Sequence, residues 1–196
     1  MTRTLKILLL AGAGSLALAA CNAEEQPGQS EPVNAAQDAM GAAVGSTSAA
    51  TLGANTVEGY VSNAAEGDMY EIQAADIALE RTQNAEVRQL AEMIKRDHTA
   101  ASQNMRAAAQ AAGQTLPTEL DQRRQGMLDN LRAASAEDFD RVYIEQQVAA
   151  HNEALTLHRG FADNTEHPEL AAHARSVVEP IEMHLEMAQR LESAGE

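Results

Sequence analysis

The sequence predicts an all-α protein whose folded part is an antiparallel four-helix bundle. The chain of 196 residues is rich in Ala, Glu and Gln, has no Trp and has only 3% aromatic residues, which favours helices over sheets. From residue 56 onward, apolar residues recur with the period of amphipathic helices. Four such long segments are joined in pairs by links of a few residues, which is typical of an antiparallel bundle.

The first twenty residues predict a signal peptide, separate from the fold. A basic start, MTRTLK, precedes the short apolar run ILLLAGAGSLALAA. The run ends at Leu18-Ala19-Ala20-Cys21, which resembles the lipobox of bacterial lipoproteins. That resemblance implies that Cys21 is lipidated, becomes the new N-terminus and holds the protein to a membrane. The alternative is an ordinary cleaved signal followed by an incidental cysteine.

The residues around this cysteine predict a location. Asn22 follows it, and by resemblance to Gram-negative sorting rules this favours the outer membrane, with the protein facing the periplasm. Cys21 is the one cysteine of the chain, so an intramolecular disulfide is excluded and the core alone must stabilise the fold. The formal net charge of −15 argues against a nucleic-acid partner. No particular protein partner is indicated.

The mature chain divides into two parts. Residues 21–55 hold the cysteine and a stretch that mixes Gly, Pro, Ser, Ala and acids without sustained periodicity, which predicts a flexible tether. Residues 56–194 are expected to form the four-helix-bundle domain.

The first half of this domain predicts two long helices. The first covers about 57–82, and the second covers about 85–113, with Asn84 as its N-cap and Gly113 at its end. A linker with Pro117 leads to a short extra helix in the connection to the second half, at about 118–133.

The second half predicts another helix pair. The third long helix covers about 136–164 and is capped by Ser135, and the fourth starts at Pro168, a favoured first-turn residue, and ends near 193. The fourth helix has a regular inward stripe: Leu170, Ala174, Val177, Ile181, His184, Ala188 and Leu191.

Each long helix places a strong metal-ligand type on its apolar stripe. These residues are Asp68 and Glu71 on the first helix, His98 on the second, His151 on the third and His184 on the fourth. All of them lie near the middle of their helices. At ~1.5 Å of rise per residue, they share a layer about 10 Å thick whichever way the connections run.

Buried imidazoles and carboxylates need partners, because an unpaired buried polar group costs ~1–3 kcal/mol. One divalent transition-metal ion, such as Zn, Cu, Fe or Mn, would satisfy the whole set. The alternative is a hydrogen-bonded network of Glu71 with His98 and its neighbours, without metal. Asp97 is expected to point to the flank of a neighbouring helix or to solvent, and His158 and His173 are expected at the surface.

Four segments carry a resemblance to a known bacterial family. They are GDMYEIQAADIAL, NAEVRQLAEMIKRDHTAAS, FDRVYIEQQVAAHNEAL and PELAAHARSVVEPIEMHLEMAQRL. Together they resemble the domain-of-unknown-function 4142 family over about residues 56–193. The resemblance implies a ferritin-like fold and export from the cytoplasm, and it implies no particular reaction.

Ferritin-like proteins that hold two metal ions use Glu on two helices and Glu-x-x-His on two others. In this chain Lys95, Val148 and Ile181 stand where those motifs require Glu. A di-iron oxidase or an iron store is therefore not expected, and any metal should be one ion held mainly by His.

Two functions follow from these observations. The first is a membrane-anchored periplasmic lipoprotein that binds one transition-metal ion through an interior layer of His and Glu. The second is a non-catalytic structural or stress-related interaction module of the envelope, without metal. An enzyme is the weakest interpretation, since the sequence contains no nucleophile constellation and no Gly-rich loop.

Overall fold

A computed structural model of the protein describes residues 56–195. In this part of the chain there are five helices and no strand. They are α1 (Val57–Arg81), α2 (Ala85–Ala111), α3 (Gln122–Ala133), α4 (Phe139–Phe161) and α5 (Pro168–Gly195). The all-α prediction is confirmed. The predicted signal peptide, Cys21 and the tether lie outside the described residues.

Capping side chains set the starts of the first two helices. The Thr56 hydroxyl accepts a hydrogen bond from the backbone N–H of Gly59 at 3.0 Å and begins α1. The Asn84 side chain accepts from the backbone N–H groups of Glu86 and Val87 and begins α2 as predicted.

The end of α2 depends on one glycine. Gly113 has a φ of 68°, in the left-handed region that glycine adopts without strain. Around it, the N–H of Gln114 donates to the carbonyl of Ala109 and the N–H of Gly113 donates to that of Gln110. This pair of bonds is a Schellman motif, which uses carbonyls that the helix end would otherwise leave free.

Two helices begin later than predicted. α3 starts at Gln122 instead of 118, because Asp121 is the residue whose side chain accepts the N–H of Arg124, at 2.7 Å. α4 starts at Phe139 instead of 136. The hydroxyl of Ser135 accepts the N–H of Asp138 and donates to its carboxylate, which forms a local turn and delays the helix.

The four long helices pack as a helical bundle. α1 lies against α2, α2 against α5, α5 against α4 and α4 against α1, while α3 covers α1 and α4. One large apolar cluster surrounds Leu90 and Leu128, and another surrounds Tyr60 and Phe161. α1 and α5 begin at the Tyr60 cluster, and α2 and α4 begin at the other. These starting points are compatible with the predicted antiparallel arrangement of the four helices. The antiparallel arrangement itself stays a prediction.

A layer of buried polar side chains lies between these two apolar clusters: Asp68, Glu71, His98, His151 and His184. Every member of the stripe predicted on α5 is buried, including His184. Along the described residues, no helix has both the length and the apolarity needed to cross a bilayer.

Candidate metal centre

Three histidines from three different helices meet inside the bundle. His98 comes from α2, His151 from α4 and His184 from α5, and they are 6%, 1% and 1% exposed. One ring nitrogen from each lies within 4.8 Å of the corresponding nitrogens of the other two. The ring centroids are 5.3 to 5.6 Å apart. The layer predicted from the helical period therefore brings these three side chains together.

One nitrogen of each ring is held by a hydrogen-bond acceptor. His98 Nδ1 is 2.8 Å from Asp68 Oδ1, and His151 Nδ1 is 2.9 Å from the backbone carbonyl of Gln147. His184 Nε2 is 3.1 Å from Asp97 Oδ2. Since a carbonyl or carboxylate oxygen only accepts, these contacts require that the ring nitrogen carries the proton. In a neutral ring the second nitrogen then presents a lone pair.

Each ring also has a second nitrogen, which these acceptors do not hold. In the part of the chain that the structure describes, the buried His98 Nε2 has no hydrogen-bond partner. His151 Nε2 and His184 Nδ1 are 3.2 Å apart. When both rings are neutral and both outer nitrogens donate, neither His151 Nε2 nor His184 Nδ1 carries a proton. The two lone pairs then face each other at this short distance without a hydrogen bond.

This arrangement suits a metal ion. Ligating histidines usually donate their other N–H to a carboxylate or a backbone carbonyl, as all three rings do here. Two nitrogens at 2.0–2.1 Å from a tetrahedral zinc ion stand ~3.3 Å apart. The separation of 3.2 Å between His151 Nε2 and His184 Nδ1 matches this spacing.

Burial keeps two of the rings unprotonated. It lowers the pKa of His184 to about 4, with the neighbouring His98 acting in the same direction and Asp97 opposing. It also lowers the pKa of His151 well below the usual value, together with the charges of His98 and His184. For His98, burial lowers the pKa but Asp68, Glu71 and Asp97 outweigh it, and the net shift is upward.

The two predicted carboxylates lie around the rings and outside the group of three converging nitrogens. Asp68 holds the outer nitrogen of His98, and Glu71 Oε1 is 3.6 Å from the outer nitrogen of His151. Burial raises the pKa of Glu71 to about 7, and the nearby His98 opposes that shift. These acids can therefore orient the rings and supply negative charge.

Asp97 points to a neighbouring helix, one of its two predicted places. Its side chain is 23% exposed and one oxygen is 3.1 Å from Nε2 of His184 on α5, a contact with the histidine group that was not predicted. Arg96 holds the same carboxylate at 2.8 Å from the solvent side. The sequence contains one signal for this role, an acid next to a histidine on the inward stripe.

The prediction that His158 and His173 lie at the surface is wrong, because both are buried. The Tyr60 hydroxyl is 3.1 Å from His158 Nδ1, and the ring of His173 packs against the rings of both. Burial, with smaller contributions from His173 and His98, lowers the pKa of His158 to about 3. These two histidines form a separate cluster with Tyr60.

Comparisons with known proteins identify a family and nothing closer. No curated protein and no solved structure matches the chain. The DUF4142 family, described as a domain of unknown function, matches residues 42–191. This match covers more than half of the chain and includes all three converging histidines. The chain therefore belongs to the DUF4142 family.

Proposed function

We propose that the protein binds one divalent transition-metal ion through His98, His151 and His184. The observation that carries the proposal is the arrangement of hydrogen bonds around the rings. Each outer nitrogen lies at hydrogen-bond distance from an oxygen acceptor, and one ring nitrogen of each histidine lies within 4.8 Å of those of the other two. Burial keeps His151 and His184 neutral, so their second nitrogens are lone pairs enclosed in the core, which is unfavourable. A cation that takes the place of any proton on His98 removes that cost.

The ligand chemistry selects the class of ion. Imidazole nitrogen suits Zn, Cu and Fe, whereas Mn prefers oxygen ligands. The nearby carboxylates of Asp68 and Asp97 offset the two positive charges of such an ion, although they are not among the converging atoms. Zinc and copper are therefore the first ions to test. No catalytic role is proposed for the centre.

The location of the protein is part of the proposal. Lipidation of Cys21 would anchor the domain to a membrane, and Asn22 favours the outer membrane facing the periplasm. The basic start, the apolar run and the one cysteine of the chain support this. Metabolic labelling with a radioactive fatty acid tests it. Label should enter the wild-type protein and be absent from Cys21→Ser, and label in both would contradict lipidation at this residue.

A second function, an envelope interaction module without metal, has one observation in its favour. The distance of 3.2 Å between His151 Nε2 and His184 Nδ1 is also a hydrogen-bond distance. If His184 carried both protons, it would donate to His151 and to Asp97, and these three groups would need no ion, although His98 Nε2 would stay without a partner. This requires a charged His184, and burial lowers its pKa to about 4, which disfavours that charge at neutral pH.

Elemental analysis separates the two functions. The protein is purified without a polyhistidine tag, exposed to Zn²⁺ or Cu²⁺, desalted and measured. We expect one ion per chain in the wild type and a loss of most of that ion in His151→Gln and His184→Gln. His167→Gln is the matched control, because His167 lies in the link before α5, outside the group of three histidines. Equal metal content in all four proteins would overturn the metal proposal and leave the network.

A further inference from the structure

A cavity of about 180 Å³ opens beside the three histidines. His98 and His184 line it, together with Asp68 and Asp97, while His151 does not. Three lining residues, Ala100, Asn104 and Ser176, are exposed, so the cavity reaches the protein surface between α2 and α5. A path therefore runs from solvent to two of the three rings.

A second cavity near the centre is less suitable for a ligand. It has a volume of about 40 Å³ and is lined by only one of the three histidines, His98. The larger cavity is the one from which a molecule could reach an ion held by all three rings.

We infer that the larger cavity delivers a small uncharged donor molecule to the fourth coordination position of the bound metal ion. This inference rests on the proposed function. Three protein nitrogens leave a tetrahedral ion with one open position, which is the pattern of metal sites that accept an outside ligand. His98 and His184 line the cavity and His151 does not, so this cavity is the route by which a molecule could reach the open position.

The volume of the cavity limits the size of the ligand. A closed cavity of about 150 Å³ is enough to hold benzene. The cavity of about 180 Å³ therefore admits a molecule up to about one five- or six-membered ring. Ala101, Val177 and Ile181 contribute apolar walls, which suit a ring better than a strongly hydrated group.

The charges around the cavity select a neutral ligand over an anion. Two carboxylates, Asp68 and Asp97, line it, and within residues 56–195 its lining contains no lysine or arginine. With neutral rings, these two charges balance a divalent ion, and Arg96, which pairs with Asp97 on its solvent side, lies outside the lining. An anionic ligand would lie beside Asp68, which pairs with no lysine or arginine in the described residues, and Coulomb repulsion disfavours it by roughly ten-fold or more in affinity.

Visible spectroscopy of the Co²⁺-loaded full chain tests the inference, because the absorption bands of Co²⁺ change with its coordination. Imidazole is the neutral probe and azide the anionic probe. We expect imidazole to shift the bands at a concentration at least about ten-fold lower than azide. Elemental analysis after the titration shows whether the ion stayed bound.

Two variants should narrow the cavity from opposite sides, Ala100→Leu on α2 and Ser176→Leu on α5. Neither replaces one of the three histidines that would bind the metal ion. Each should keep its Co²⁺ and weaken the imidazole response by about ten-fold or more, since crowding a site commonly costs this much. Ala107→Leu is the matched control, an exposed alanine of α2 outside the cavity lining, and it should respond like the wild type.

Each other outcome contradicts a specific part. Bound Co²⁺ with no response to imidazole in the wild type would overturn the open position while the proposed function stands. An unchanged response in both leucine variants would overturn the assignment to this cavity. An equal or stronger response to azide would overturn the preference for a neutral ligand. Failure of the wild type to retain any of Co²⁺, Zn²⁺ and Cu²⁺ would overturn the proposed function itself.

Discussion

At the scale of single residues, Asp97 links the surface to the centre of the bundle. Burial raises the pKa of this carboxyl, but hydrogen bonds from Arg96 and His184 outweigh it and the net pKa is lowered. Asp97 is therefore an anion that accepts from His184 Nε2 and leaves Nδ1 of that ring free to bind. A hydrogen-bond partner of this kind sets the tautomer of a metal ligand.

Removing this partner should weaken metal binding. We expect Asp97→Ala to lower the affinity for Zn²⁺ by about 10–100-fold, measured by competition with a coloured chelator. Arg96→Ala is the control, because it removes the arginine that holds Asp97 and leaves the contact with His184 in place. If both variants bound Zn²⁺ as the wild type does, the orienting role of Asp97 would be wrong.

His158 predicts how the stability of the protein depends on pH. Its folded-state pKa is about 3, against 6.5 for an unperturbed ring, so between these values the unfolded chain binds a proton that the folded one does not. Stability must therefore fall as the pH drops below 6.5. The loss from this residue is about 2 kcal/mol by pH 5, as given by ~1.4 kcal/mol per pH unit.

Urea unfolding at pH 7.5 and pH 5.0 measures this dependence. We expect the difference between the two free energies of unfolding to shrink by about 2 kcal/mol in His158→Gln, which cannot take up the proton. His167→Gln, which replaces a histidine of the link before α5, should keep the dependence of the wild type. An unchanged difference in His158→Gln would contradict the prediction.

The same residues show what a sequence can predict about a site. His98, His151 and His184 are predictable because each occupies an apolar stripe, and all three lie mid-helix. The contact of Asp97 with His184 is not predictable in this way. Asp97 lies about 100° around α2 from His98, and the residue that it contacts there depends on where α5 packs. The burial of His158 and His173 depends on how wide a face of each helix its neighbours cover. The helical period of the sequence does not give that width.

At the scale of elements, α3 is tied to the bundle by a buried arginine. Arg124 is 5% exposed. Its guanidinium donates to Glu66 at 3.2 Å, to Glu153 at 3.3 Å and to Asp121. These contacts join α3 to both α1 and α4. Without Arg124, Glu153 would keep Arg123, which donates to it at 2.8 Å, but the largely buried Glu66 would lose its paired cation. A buried carboxylate that loses its cation is strongly unfavourable, so Arg124 should contribute strongly to the stability of the junction.

We expect Arg124→Ala to lower the free energy of unfolding by about 3 kcal/mol, measured by urea titration. Arg132→Ala, on the same helix, removes an exposed pair with Asp129 and should cost less than about 1 kcal/mol. Similar losses in the two variants would show that the buried contacts of Arg124 add no more than a surface pair.

Helix boundaries were predictable where one residue decides them. Asn84 and Gly113 bound α2, since a side-chain cap and a positive φ are local properties. The starts of α3 and α4 were predicted too early. Several residues can cap there, and the choice depends on tertiary contacts, such as the bond from the Asp121 N–H to the carboxylate of Glu66 on α1 at 3.2 Å.

At the scale of the whole molecule, the three histidines join α2, α4 and α5, so an ion bound by them should stabilise the entire bundle. A ligand that binds only the folded state adds about 4 kcal/mol when its concentration is 1,000 times its Kd. We expect Zn²⁺ at that excess to raise the free energy of unfolding of the wild type by this amount. A chelator should reverse the effect.

His151→Gln is the comparison protein for this measurement. It should gain no more than a small part of the stabilisation, because two rings remain of the three. Equal stabilisation of the variant and the wild type would place the effect at weak surface sites on this acidic protein and not at the three-histidine centre.

The place of His184 on α5, the last of the described helices, has a consequence for how the centre forms. Until α5 has packed against α2 and α4, at most His98 and His151 are in place, so the centre is incomplete. The ion would be acquired only after the last helix has emerged and packed. The compartment in which the finished chain folds would therefore decide which metal it encounters first.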